Sequence, residues 1–111
     1  TVGNKFEKIV ISGGGSQSDE IMQITADILG TKIYRSKVYE ASSLGAAIAS
    51  AVGIRIYPNF ESAVKGMVKV GTEFEPNESN KLLYNQIYES IFKNLLDDLQ
   101  PTYKKIKSLF N

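Results

Sequence analysis

The segment Ile9-Val10-Ile11-Ser12-Gly13-Gly14-Gly15-Ser16-Gln17-Ser18 constrains this chain more than any other. A β-branched run stops at three consecutive glycines, and a helical pattern starts directly behind them. Glycine removes the Cβ and tolerates unusual dihedrals, so the chain can turn sharply and a phosphate or ribose can approach bare backbone. The unpaired N–H groups of the helix that follows point at such a ligand. This is nucleotide-site geometry, and it is equally the geometry of a tight strand-to-helix turn that binds nothing.

The surrounding pattern supplies the elements. Residues 5–12 read as a strand, with Ile9, Val10 and Ile11 forming the continuous run expected of a buried parallel strand. Over residues 17–29, Ile21, Ile24 and Ile28 recur at helical spacing with Met22 and Leu29 beside them, Asp19 and Glu20 occupy the first turn, and Gly30 supplies a stop. Residues 31–35 suit a second strand. Strand, crossover helix and strand within about thirty residues predict a right-handed βαβ unit with a parallel pair, which puts the glycine turn at the carboxyl end of its strand.

Farther along, Leu44, Ala47, Ile48, Ala51 and Val52 predict a helix over residues 41–52 ended by Gly53; its other face, Gly45, Ala46, Ala49 and Ser50, is small enough for close packing. Pro58-Asn59 marks a break and cap before a short helix bearing Phe60, Ala63, Val64 and Met67. Val68, Val70, Thr72 and Phe74 alternate as an extended segment. From about residue 80 a long amphipathic helix carries Leu83, Tyr84, Ile87, Tyr88, Ile91, Phe92, Leu95 and Leu99, and Pro101 should kink or divide it.

At 111 residues the chain is at most one domain with a modest core, and its Thr1 start suggests an excised piece. A net charge of +1 gives no overall field for nucleic acid or an anionic membrane, so any anion site must be local. No apolar run approaches the ~18 residues of a membrane span, and no leader pattern opens the chain; a cytoplasmic location is expected. Cysteine and histidine are both absent, which removes disulfides, thiol catalysis, the usual transition-metal ligands and the commonest general base. No catalytic residue and no metal ligand is assigned.

The glycines do not form a Walker loop, since no Lys-Ser/Thr pair follows at the required spacing. Gly13-x-Gly15-x-x-Ser18 is nearly a dinucleotide fingerprint, with Arg35 ending the second strand where a 2′-phosphate partner sits; an NADP-binding fragment of an oxidoreductase is therefore the alternative reading. Ser16 reads as a helix N-cap. Asp19 and Glu20 project in different directions and read as dipole partners rather than a catalytic pair, and Glu40 as a cap or surface acid. Tyr84 and Tyr88 suit packing along one helix face, and Lys104, Lys105 and Lys107 a solvated helix end.

Three blocks occur in order: Ile11-Ser12-Gly13-Gly14-Gly15-Ser16-Gln17-Ser18-Asp19, then Gln23-Ile24-Thr25-Ala26-Asp27-Ile28-Leu29-Gly30, then Glu40-Ala41-Ser42-Ser43-Leu44-Gly45-Ala46-Ala47. With Phe74-Glu75-Pro76-Asn77 and the tyrosine-bearing terminal helix, they closely resemble the C-terminal end of FGGY-family carbohydrate kinases of the xylulose- and glycerol-kinase type. The resemblance implies an α/β fold: part of an actin-like ATPase (ribonuclease H-like) domain, with a short parallel βαβ unit plus C-terminal helices. Residues 1–111 would be the C-terminal fragment of the second kinase domain. It also implies ATP and Mg2+ as cofactors, with the metal held mainly by other parts, and a sugar or polyol substrate. In that family the glycine motif lines the α-phosphate and ribose, so Gly14 and Gly15 become backbone contacts, Gly13 shapes the turn, and Ser18 is an adenine-side contact where other members place asparagine. The phosphate hairpins, sugar pocket and catalytic aspartate of the family are not in this segment, so the fragment alone is expected to be inactive. A two-strand sheet would leave an edge and apolar surface favouring a homo-oligomer.

Overall fold

Alternation between strands and helices starts at Ile9–Ile11, β1, in a computed structural model that describes residues 8–110. The expected strand residues 5–7 lie outside the described residues. A 3-10 turn, Gly14–Gln17, leads into α1, Asp19–Leu29, which ends where Gly30 adopts the left-handed conformation (φ 63°) and donates its N–H to the Ala26 carbonyl. β2, Ile33–Ser36, pairs parallel with β1 in the register Ile9 to Ile33, Val10 to Tyr34 and Ile11 to Arg35. This is the βαβ unit expected from the glycine-punctuated pattern.

The sheet has a third member. After α2, Ala41–Gly53, and α3, Phe60–Met67, the alternating segment forms β3, Val70–Phe74, antiparallel to β2. The sheet order is β1-β2-β3, so β2 is central and its outer edge is not the open one that a parallel pair alone would leave. β1 keeps an uncovered edge and is only half-buried, with Val10 exposed, because no element among the described residues lies on its second side.

A small core joins helix to sheet: Met22, Ala26, Ile33 and Phe74 are buried, with Ile9 and Ile11 packed against them. α1 therefore turns its Met22–Ala26 face to the strands. Ile21, Ile24 and Ile28, the stripe that periodicity singles out, are 52%, 45% and 56% exposed. On that face the small Ala26 lets the helix come close to the sheet, and Met22 lies in the same buried cluster with Ile33 and Phe74.

α2 and α3 pack on each other, and each buries one alanine, Ala51 and Ala63. Between them, α2 ends one residue beyond the expected Val52, and the turn is made by Arg55 at φ 63° and not by Gly53. Asn59 caps α3 as expected, its side chain accepting the Ser62 N–H at 2.8 Å. Of the expected α3 face only Ala63 is buried, while Phe60 and Val64 stay exposed. Tyr57 lies over Gly66 so closely that a Cβ there would run into its hydroxyl and ring edge, so any larger residue would make that side chain shift.

The terminal helical region begins at α4, Glu78–Ser90, capped by Asn77, whose side chain accepts the Asn80 N–H at 3.1 Å. It divides at Ile91 and a 3-10 turn, Phe92–Asn94, before α5, Leu95–Leu109. The division falls ten residues before Pro101, which sits inside α5 without ending it. Proline removes one backbone bond, and the remaining bonds of α5 carry the helix past it. Neither α4 nor α5 buries a residue. The radius of gyration, 19.3 Å, reflects this openness; a compact chain of this length would have about 13 Å.

Candidate functional site

The glycine turn leaves the carboxyl end of β1 and delivers the chain to α1. Gly13 carries the reversal at φ 101° and ψ 175°, a region that a side chain strongly disfavours. Gly14 and Gly15 have ordinary φ, and a Cβ on either would meet nothing within 4 Å. Internal packing thus gives no reason for glycine at these two positions. Their open side is free space at a sheet's carboxyl end, where α/β folds bind ligands.

Two serines build the turn. Ser16 is buried, and both its hydroxyl (2.7 Å) and its N–H (3.1 Å) donate to the Gly13 carbonyl. It is not the cap expected from its position in the sequence; the intervening 3-10 turn moves that role to Ser18, whose Oγ accepts the Ile21 N–H at 3.2 Å. The Ser18 hydroxyl in turn donates to Glu20, and this bond holds the Glu20 carboxyl below the usual carboxylate range. The Ser18 N–H donates to the Gly15 carbonyl at 3.3 Å. With these bonds closing the turn, the N–H groups of Gly14 and Gly15 have no acceptor among the described residues. The structure thus brings Gly13, Gly14, Gly15 and Ser18 together along one short bend.

Arg35, at the end of β2, reaches across to the same bend. Its Nε donates to the Ser16 carbonyl and its Nη2 to Asp19, while its guanidinium lies 5.1 Å from the centre of the Phe74 ring. The cation offered to a 2′-phosphate in the dinucleotide reading is therefore already committed to the chain's own groups. Asp19 and Glu20 turn to different partners, Arg35 and Ser18, and form no carboxylate pair.

Sequence position does not single out Asp27, yet it is the most enclosed charged group among the described residues, 1% exposed. Its Oδ1 accepts the Asn77 N–H (2.7 Å) and Gln23 Nε2 (2.9 Å), and its Oδ2 accepts Asn80 Nδ2 (2.9 Å). Gln23 Nε2 also donates to the Glu75 carbonyl at 2.7 Å. The Asn77 amide, foremost, holds the Asp27 carboxyl below the usual range even though burial pushes the other way. This bolt ties α1 to the β3–α4 junction. The signal that could have found it is an acid flanked by apolar residues in Ile24–Leu29, answered by the asparagines Asn77 and Asn80 at a helix start.

Other candidate features remain apart from the turn. Glu40 precedes α2 without making a side-chain cap bond, and the small face of Gly45, Ala46, Ala49 and Ser50 is exposed. Two open concavities of about 340 Å³ run between α1 and α4, one lined by Ile28, Tyr84, Ile87, Tyr88 and Phe92. Among the described residues no cluster of His, Cys, Asp or Glu could hold a metal ion, and no helix is long and apolar enough to cross a membrane.

Comparison with known proteins follows the same segment. Residues 2–54 match the FGGY family of carbohydrate kinases, C-terminal domain. The chain is 43% identical over 103 residues to the uncharacterized sugar kinase YgcE of Escherichia coli (strain K12), which covers 92% of this chain and 21% of that protein. It is 40% identical over 94 residues to a xylulose kinase of Staphylococcus epidermidis, covering 82% of this chain and 19% of that one. In three dimensions it resembles the ligand-bound xylulose kinase of Lactobacillus acidophilus, with a TM-score of 0.74, 18% identity, and coverage of 89% of this chain and 20% of that one. The chain spans about a fifth of the length of the curated relatives it matches.

Proposed function

Because the chain belongs, through residues 2–54, to the FGGY family of carbohydrate kinases, we propose that it forms the nucleotide side of an enzyme that transfers the γ-phosphate of ATP to a hydroxyl of a sugar or polyol. Residues 1–111 then serve as the C-terminal portion of the second kinase domain. The observation that carries the assignment to the glycine turn is the open cradle: two glycines with no internal need to be glycine, and two N–H groups free to donate. An ATP α-phosphate and ribose would lie against Gly14 and Gly15, with Gly13 setting the reversal. Ser18 would face the adenine, its hydroxyl leaving Glu20 to reach the base.

ATP supplies the phosphoryl group, and Mg2+ would be held by its phosphates and by parts of the kinase outside these residues. The chain's own contribution is positioning: free amides, no side chain in the way, and the positive end of α1 behind them. Sugar recognition and the base that activates the hydroxyl belong to the rest of the enzyme, so the 111-residue chain alone should give no turnover in a coupled kinase assay.

Amide-resolved NMR titration tests the reading. ATP should shift the Gly13–Ser18 amides, NADP should not bind in preference, and Gly14→Val, which fills the cradle, should abolish the ATP response. Shifts confined to the α1–α4 concavities, or an unchanged response in Gly14→Val, would overturn it.

A further inference from the structure

The sequence marks Arg35 as a cation beside a phosphate site, but its geometry gives it other work. Resting on the nucleotide reading above, we propose that Arg35 is a positioning residue that braces the glycine turn and cancels the Asp19 charge at the end of α1 where a nucleotide's phosphates would approach.

Three observations converge on this. Arg35 stands at the last paired position of the parallel strands, opposite Ile11, so the rigid centre of the sheet sets its origin. Its side chain is 23% exposed and is steadied by the Phe74 ring beneath it, whereas its partner Asp19 is 75% exposed. Its fork then ties two successive points of the chain together: the Ser16 carbonyl inside the 3-10 turn and the Asp19 carboxylate at the first position of α1. A guanidinium suits this task because its donors are held in one plane at fixed separation, and lysine could not make both bonds from one rigid group.

The charge consequence follows from position. Asp19 is favourable to α1 alone, since a carboxylate at a helix start complements the dipole. The same carboxylate would oppose an anionic ligand at that helix end. Pairing with Arg35 cancels one of the two carboxylates in the first turn of α1, leaving only Glu20, which bonds to the Ser18 hydroxyl, so the amides of Gly14 and Gly15 act on the phosphates against a smaller opposing charge. An ATP phosphate therefore benefits from Arg35 without touching it.

Nucleotide titrations of the 111-residue chain monitored by NMR separate this from a merely structural role, using ATP and adenosine in parallel. In Arg35→Gln, ATP affinity should fall about tenfold and adenosine affinity much less, because only ATP meets the uncompensated carboxylate. Adding Asp19→Asn to that variant should restore most of the ATP loss, and Asp19→Asn alone, a change at an exposed side chain, should leave ATP affinity equal or higher. Hydrogen exchange of the Ser16 and Ser18 amides, which donate to the Gly13 and Gly15 carbonyls within the turn, should quicken in Arg35→Gln without any nucleotide present. Equal losses for ATP and adenosine with no rescue, weaker ATP binding in Asp19→Asn alone, or unchanged exchange in Arg35→Gln would overturn the proposal. Should the unsubstituted chain bind neither nucleotide while Arg35→Gln still quickens exchange, the nucleotide reading fails and the charge cancellation with it.

Discussion

The βαβ unit and the α4–α5 region carry similar densities of large apolar residues and use them differently. In the first, Met22, Ile33 and Phe74 are buried between helix and sheet, and the polar groups nearby, Asp27 and Ser16, are fully engaged in hydrogen bonds. In the second, Leu82, Phe92, Leu96 and Leu109 are more than three-fifths exposed, and neither helix buries a residue. The difference is one of partners. A sheet offers a continuous surface onto which one helix face can settle, whereas two consecutive helices joined through a 3-10 turn offer each other only their ends. Apolar spacing predicts that a helix forms, and the neighbouring element decides whether that face becomes core.

Substitutions can break that contrast, most forcefully in the core. Met22→Ala should destabilise the chain by about 3 kcal/mol, because a fully enclosed side chain leaves a cavity that the sheet cannot fill by collapse. Urea unfolding followed by circular dichroism would show the loss as a lower midpoint.

Asp27→Ala should cost about 2 kcal/mol, since it leaves the Asn77 amide and the Asn80 side chain without their acceptor. The same residue gives the βαβ unit an acid dependence. Its folded carboxyl is held low, so its contribution is present above the unfolded value of about 3.9 and is lost as pH falls through the folded one. Melting temperatures of the unsubstituted chain should therefore drop steeply below about pH 4, and the Asp27→Asn variant should show a shallower drop.

Gly66→Ala probes the intermediate case, the α2–α3 pair. Tyr57 must swing away from the new methyl group, at a cost of about 1–2 kcal/mol, and removing the ring in Gly66→Ala with Tyr57→Ala should recover part of it in the same unfolding measurement. The smallest effect belongs to the open helices. Leu96→Ala should change stability by less than about 0.5 kcal/mol, because its side chain is already 65% exposed. A loss comparable to that of Met22→Ala would show that α4–α5 is covered in solution and would erase the contrast.

Much of the candidate site was legible beforehand, for a physical reason. Glycine runs, N-caps and αL stops act through backbone geometry within a few residues, so the Gly13–Gly15 bend, the Asn59 cap and the Gly30 stop could be read locally. Ser16 and Ser18 show where local reading slips: a single 3-10 turn moved the cap by two residues. The third strand was visible only as alternation in Val70–Phe74, since pairing direction depends on where two helices return the chain.

Sequence by itself determined the order of elements, the side-chain-free bend and the family, because each is encoded in contiguous residues with short-range consequences. Only the tertiary structure decided that Met22 and Ala26, not the isoleucine stripe, face the sheet, that Asp27 bolts α1 to the start of α4, and that Arg35 spends its charge on Asp19. The last two outcomes join residues separated by 16 positions, Arg35 to Asp19, and by 53, Asn80 to Asp27, and all three are set by which surfaces the folded backbone brings into contact.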